Sequence, residues 1–211
     1  MEPLTKILSA AVDLFRQYSF KTVTMDDIAR RAGISKKTLY QHFANKQEVV
    51  AETVTWYKCQ ITEQCSNILK GSQNAVEAMV KVAAMMDEHH KEINPSAMFE
   101  LQRYFPEAFD TFRQKLLQQD VDMMRDTIQQ GINEGFFRHD VNPDIMARFR
   151  METSLMMLQP NLLVNDRHSL LFIMHELAEH FIYGIMTPKG EKLYQKFKEQ
   201  YLKPELKQVS K

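Results

Sequence analysis

Apolar residues recur three and four positions apart along nearly the whole chain, and no stretch alternates convincingly with period two. A chain patterned this way buries its apolar side chains from helix faces, so the expected fold class is all-α. Composition agrees. Only 6 Gly and 7 Pro among 211 residues leave little material for a sheet with many turns, while Leu, Met, Glu, Gln, Lys and Ala are plentiful. The length suffices for one sizeable core, or for a small domain attached to a larger one.

Leu4, Ile7, Leu8, Ala11, Val12 and Phe15 predict an amphipathic helix over residues 3–18, with Pro3 near its start. Thr24 is the expected N-cap of a second helix, Met25 to Ala32, with Asp26 and Asp27 in its first turn. Gly33 stops it, and Ser35 caps a third helix that runs to about Phe43. Asn45 caps a long fourth helix ending at Gly71-Ser72. Further helices are expected over about 74–92, shortly after Asn94-Pro95, and from Pro106 to Asn133. Asn142-Pro143-Asp144 starts another that reaches about Leu158. Asp166 caps one that reaches Gly184 or Met186, and Pro188-Lys189-Gly190 sets off a final polar helix, Glu191 to Leu202. The expected organisation is a three-helix head, residues 1–46, a linking helix of about 46–70, and a helical body within residues 47–211.

Formal net charge is zero, but it is unevenly placed. The first 50 residues hold eight basic and five acidic side chains, a net +3, which leaves −3 for the remainder. Cys59 and Cys65, six residues apart on one helix, point to different faces about 9 Å apart along the axis, too far to bridge. Free thiols suit a reducing compartment. The longest apolar run, Leu170 to Met174, is far short of a membrane span, and no signal segment opens the chain. A cytoplasmic protein without a membrane partner is expected.

Residues 25–43 have the internal logic of a helix-turn-helix. Two short helices that cross steeply need a small residue where they touch, a turn that adopts positive φ, and an apolar anchor from each. Ala29, Gly33 and the trio Ile28, Ile34 and Leu39 supply these in order. Lys36 and Lys37 then stand at a helix start, where the dipole of about half a positive charge disfavours them. Opposite a polyanion, the dipole and both lysines act in the same direction.

The run TVTMDDIARRAGISKKTLYQHFANKQEVV resembles the DNA-binding signature of the tetracycline-repressor (TetR) family of transcriptional regulators. The match covers about 45 N-terminal residues and keeps the family's spacing from Ile28 to Lys46. Beyond it only the helical layout is similar, with one familiar join, EGFFRHDVNPDIMA. The resemblance implies an N-terminal three-helix helix-turn-helix DNA-binding domain and a C-terminal helical ligand-binding and dimerisation domain. It also implies a recognition helix, Lys36 to Phe43, in the major groove. Lys36 and Lys37 then either bond guanine or neutralise phosphate, and Gln41 is a possible adenine reader. Thr24, Thr38, Tyr40, His42 and Lys46 match backbone-contacting positions. Tyr40, His42 and Lys46 also have plainer readings, as a packing aromatic, a partner of Phe43 and a solvated lysine. Arg30 and Arg31 read as an exposed helix face, and Asp26 and Asp27 are excluded because phosphate would repel them.

One such head contacts few base pairs, so a palindromic double-stranded operator and a homodimer are expected. The apolar surface of Leu170 to Met174, Leu177, Phe181, Ile182, Ile185 and Met186 is wider than one buried stripe. It suggests a dimer face built from helices of about 144–158 and 166–186. The family implies a small-molecule effector in the body, with Trp56 and Tyr57 as weak candidate contacts. Fourteen methionines suit an adaptable pocket, but filling an ordinary core is the better reading of any one of them.

His175-Glu-Leu-Ala-Glu-His180 has one residue too many for the HExxH zinc pattern. Its histidines therefore diverge by about 140°, although His175 and Glu179 share a face. No catalytic residue, metal or cofactor is expected. The reading is a dimeric repressor released by a small molecule. The alternatives are an activator of the same fold, or a helical small-molecule-binding protein with a non-functional head.

Overall fold

The structure, a computed structural model, describes residues 2–91, 96–157 and 170–202. Packing divides the chain into two units: Met1–Ile61 with Glu92–Lys115, and Thr62–Lys91 with Leu116–Lys211. Regular structure is helical in both, as the spacing predicts.

The first unit holds α1 (Pro3–Gln17), α2 (Met25–Ala32), α3 (Lys36–His42) and the start of α4 (Lys46–Gly71). Pro3 sits in the first turn of α1, where its missing N–H leaves no intrahelical bond unmade. Ile7, Ala11 and Phe15 follow one another at i, i+4 and i+8 and are buried with Ile28, Leu39, Val49 and Val50. Each large aliphatic side chain buried in this way is worth about 1.5–3 kcal/mol. Residues that the sequence leaves in the body complete the same core. α6 (Ala97–Tyr104) and α7 (Pro106–Lys115) contribute Ala97, Leu101 and Ala108. Between them the Phe105 ring lies 6.2 Å from Phe20, which stacks on Phe15 at 4.7 Å.

The second unit is built from the end of α4, α5 (Ala75–Lys91), α8 (Val121–Asn133), α9 (Pro143–Met157), α10 (Leu170–Ile185) and α11 (Pro188–Tyr201). The helix expected from Pro106 to Asn133 is one helical run, but Leu116–Asp120 is wound as a π-helix between α7 and α8. A π turn takes in an extra residue without breaking the run, so apolar spacing does not reveal it. α9 starts as predicted, with Asn142 Oδ1 accepting from the Ile145 N–H at 3.1 Å. The expected end at Leu158 and the Asp166 cap lie outside the described residues.

Residues 188–190 depart from expectation. Pro188-Lys189-Gly190 does not separate two helices; it is the first turn of α11, with Thr187 Oγ1 capping the Gly190 N–H at 3.2 Å. The same corner carries an isolated β-bridge, Phe137 to Met186, flanked by Arg138 N–H to Ile185 O (2.8 Å) and Thr187 N–H to Phe136 O (2.9 Å). Gly190 is needed because a Cβ there would lie 2.1 Å from the Phe136 carbonyl oxygen.

α11 is tied to α5 through Glu77, a carboxylate only 3% exposed. It accepts from the Gln73 N–H (2.7 Å), Lys81 Nζ (2.9 Å) and the Tyr201 hydroxyl (3.1 Å). The Gln73 bond, then the Lys81 bond, holds its pKa below the usual carboxylate value. A carboxyl depressed by folding contributes stability above its unfolded pKa and loses it as pH falls through the folded value. Acid titration should therefore weaken the second unit from about pH 4.3 downward. Glu77→Gln should cost about 1–3 kcal/mol at neutral pH and flatten that acid limb, read by urea denaturation at stepped pH. An unchanged limb in the variant would remove Glu77 as its source. Among the described residues no helix is long and apolar enough to cross a membrane.

Candidate nucleic-acid interface

Each end of the helix-turn-helix is fixed by a local device. Thr24 and Asp27 form a capping box on α2. The Asp27 N–H donates to Thr24 Oγ1 at 3.2 Å, and the Thr24 N–H donates to Asp27 Oδ2 at 3.0 Å. The Thr24 hydroxyl donates to the same carboxylate oxygen at 2.6 Å, and these bonds hold the Asp27 pKa below its ordinary value. Gly33 ends α2 at φ +67°, a left-handed conformation that side chains with a Cβ rarely adopt. It lets the Ile34 N–H reach the Ala29 carbonyl at 3.0 Å. Ser35 Oγ then accepts from the Thr38 N–H at 3.0 Å and starts α3.

α3 is anchored by Leu39, fully buried, and by Phe43 just past its end. With that side turned inward, Lys36, Lys37, Tyr40 and Gln41 fall at i, i+1, i+4 and i+5 on the opposite, exposed face. The stripe presents two ammonium groups, a phenol and a side-chain amide. Of these, Tyr40 is 52% exposed and therefore no packing aromatic.

The other predicted residues are placed less simply. Lys36 is held by the Asp26 carboxylate of α2, so the acid excluded from contact neutralises one of the two lysines at this helix start. Thr38 is half-buried, its hydroxyl 2.8 Å from that of Ser35. His42 is exposed, with its ring 6.5 Å from Phe43. Lys46 is not a freely solvated lysine. Its Nζ donates to the Lys21 carbonyl at 3.0 Å and lies 5.8 Å from the centre of the Phe105 ring. Burial pulls its pKa down, while Glu100 and Asp27 oppose that shift. Glu100 also accepts the Lys21 N–H at 3.0 Å, and Lys21 Nζ lies 5.5 Å over Tyr104. Lys21, Glu100 and Phe105 thus position Lys46, and no local pattern points to them, because Glu100 is 79 residues from Lys21.

Trp56 is half-buried against the core of the first unit, and Tyr57 carries the Arg16 guanidinium 5.6 Å from its ring centre. His175 and Glu179, although on one helix face, bond to different partners. His175 Nε2 bonds Asp87 Oδ1 at 2.7 Å, and Glu179 pairs with Lys198, because helices α5 and α11 supply nearer partners. Among the described residues no three metal-ligating side chains come together.

Residues 7–53 match the family described as bacterial regulatory proteins, tetR family. The HTH-type transcriptional repressor KstR2 of Mycobacterium tuberculosis is 28% identical over 152 residues, which span 71% of this chain and 76% of that protein. A transcriptional regulator from Cytophaga hutchinsonii has a similar fold, with a TM-score of 0.67 at 23% identity, over 87% of this chain and 98% of that one. The structure of M. tuberculosis KstR2 gives a TM-score of 0.54 at 24% identity, over 88% of this chain and 96% of that one. At such identities the structural likeness speaks for the fold. The head's sequence, its geometry and the repressor relative together identify the chain as a DNA-binding transcriptional regulator whose N-terminal domain, residues 7–53, is of the tetR type.

Proposed function

We propose that the chain is a cytoplasmic, homodimeric repressor that holds two half-sites of a palindromic operator and is released by a small-molecule effector. The observation that carries the DNA contact is the exposed stripe of α3, backed by a fully buried Leu39 that fixes its rotation. On this reading Lys37 and Gln41 face base edges. Thr24, Thr38, Tyr40, His42 and Lys46 meet the phosphate backbone, and Lys36 exchanges Asp26 for DNA. The head is residues 1–46, and residues 47–211 bind effector and partner.

Dimerisation is supported by apolar side chains left uncovered in a single chain. Ile145 and Phe149 on α9 are 61% and 54% exposed, and Tyr183 on α10 is 37% exposed. Phe149 stacks on Phe181 of α10 at 6.3 Å, so the exposed apolar side chains of α9 lie beside α10. Repression is supported by the relative from M. tuberculosis, which is named a repressor. Release requires an effector that prefers the non-binding conformation. A preference of about 10²-fold supplies roughly 2.7 kcal/mol, and α4, continuous from one unit into the other, is the lever.

Operator selection from a random DNA pool, repeated with small molecules from cell extract, tests recognition and release together. The selected site should be palindromic, and affinity should fall steeply with salt. Lys46→Ala should weaken all sequences alike and lower the salt slope by about one, whereas Lys37→Ala or Gln41→Ala should relax preference at single positions. A pool that yields no preferred sequence, or binding indifferent to salt, would end this reading.

A further inference from the structure

The second unit carries a cluster of polar side chains that neither the DNA-contacting face nor the apolar dimer face uses. Asp87 and His90 stand one turn apart on α5, and His175 of α10 bonds Asp87 at 2.7 Å. Arg150 of α9 lies close enough to His90 for their charges to act on one another. All four side chains are half-buried.

Arg150 belongs to the inward side of α9. It comes three residues after Ala147, which is fully buried, and four before Ser154, whose hydroxyl accepts from Nη1 at 2.5 Å. Among the described residues no carboxylate pairs with Arg150, and Ser154 is its one side-chain acceptor. A guanidinium has five N–H donors in a fixed fork, and loss of hydration pulls this one below the usual guanidinium pKa. Charges removed from water are ordinarily matched by an opposite charge.

His90 shows the same shortfall. Its Nδ1 is buried without a hydrogen bond of good geometry, although the Met86 carbonyl one turn back acts on the ring. Burial holds this imidazole below its ordinary pKa. Asp87, the nearby acid, is already engaged with His175. The cluster is therefore short of acceptors and of negative charge. Around it the helices carry half-buried thioethers, Met86 before His90 and Met146 and Met151 beside Arg150, which suit an apolar body of variable shape.

We infer that Arg150 and His90 receive the carboxylate of an apolar acid, with the Asp87–His175 pair at the border of that subsite. The guanidinium fork takes both carboxylate oxygens, and His90, donating from Nδ1, adds a third bond. The inference rests on the effector-released reading above and narrows its effector to an amphipathic monocarboxylate.

The test uses the full chain and matched probes: octanoate, decanoate, 4-phenylbutyrate and cholate, each against its methyl ester, with binding read by thermal shift and calorimetry. At least one acid should bind about tenfold or more tightly than its ester. That ratio should fall towards one in Arg150→Met and partly survive in Arg150→Lys, which keeps charge but not the fork. Equal binding of acid and ester, binding of no acid, or an unchanged ratio in a folded Arg150→Met each overturns the inference. The wild-type comparison decides alone if the variants fail to fold. Release of the selected operator by neutral extract components would leave the repressor reading standing with this inference gone. Release by no extract component would end the effector reading as well.

Discussion

Replacing Leu39 with Ala should abolish operator binding, although this side chain is turned away from DNA. It is fully buried in a core shared by Ile28, Ala29, Val49 and Val50, so truncation leaves a cavity that close-packed neighbours cannot fill. A buried Leu→Ala change costs about 2–5 kcal/mol, a large part of the stability of a small domain. α3 has only seven residues and is too short to hold itself without that anchor. Tyr40→Phe, one residue on and 52% exposed, should leave stability within about 0.5 kcal/mol and remove a single hydroxyl contact. The lone tryptophan, Trp56, packs against this core and reports its unfolding by fluorescence, while anisotropy of the selected operator reports binding. A Leu39→Ala protein that melts with the wild type would show that α3 is not positioned by this core.

The features legible beforehand are those whose cause is local. Thr24, Ser35, Asn45 and Asn142 all cap the helices predicted for them, since a cap needs only its own side chain and an N–H three residues on. Gly33 takes the positive φ that the turn demands, and the rotation of α3 follows from Leu39. Thr187-Pro188 carries the same signal as Asn142-Pro143, a capping side chain before a proline. The adjoining Gly190 suggested a break, whereas its absent side chain serves a close approach to Phe136.

What stayed hidden depends on distance in the chain. Lys36 and Asp26 lie ten residues apart and meet only because α2 and α3 cross, so a sequence shows a lysine opposing its own helix dipole and not the acid that offsets it. Lys46 reads as a surface lysine until Lys21, Glu100 and Phe105 surround it. The helices that bring Glu100 and Phe105 are amphipathic, and apolar period says that a helix has a buried face without saying in which core. Arg150 looks like one more charge on the solvent side of an amphipathic helix until its inward side is known.

Gly190→Ala should strongly destabilise the second unit. Its new methyl group would sit 2.1 Å from the Phe136 carbonyl oxygen, a backbone atom and not the yielding end of a side chain. That oxygen is also pinned by the Thr187 N–H at 2.9 Å and the Thr187 hydroxyl at 3.1 Å, so the first turn of α11 must move instead. Overpacking costs about 1–3 kcal/mol and occasionally more, and a clash with a pinned backbone atom falls at the upper end, against about 1 kcal/mol for loss of the cap in Thr187→Ala. Gly71→Ala meets open space and should be neutral or slightly stabilising. Displacing α11 also loosens Tyr201 from Glu77 and Lys198 from Glu179, so Gly190→Ala and Glu77→Gln should combine to less than the sum of their separate costs. Urea denaturation of the four proteins in that cycle measures the coupling. Strict additivity would show that the corner at Gly190 and the Glu77 carboxylate stabilise the unit independently.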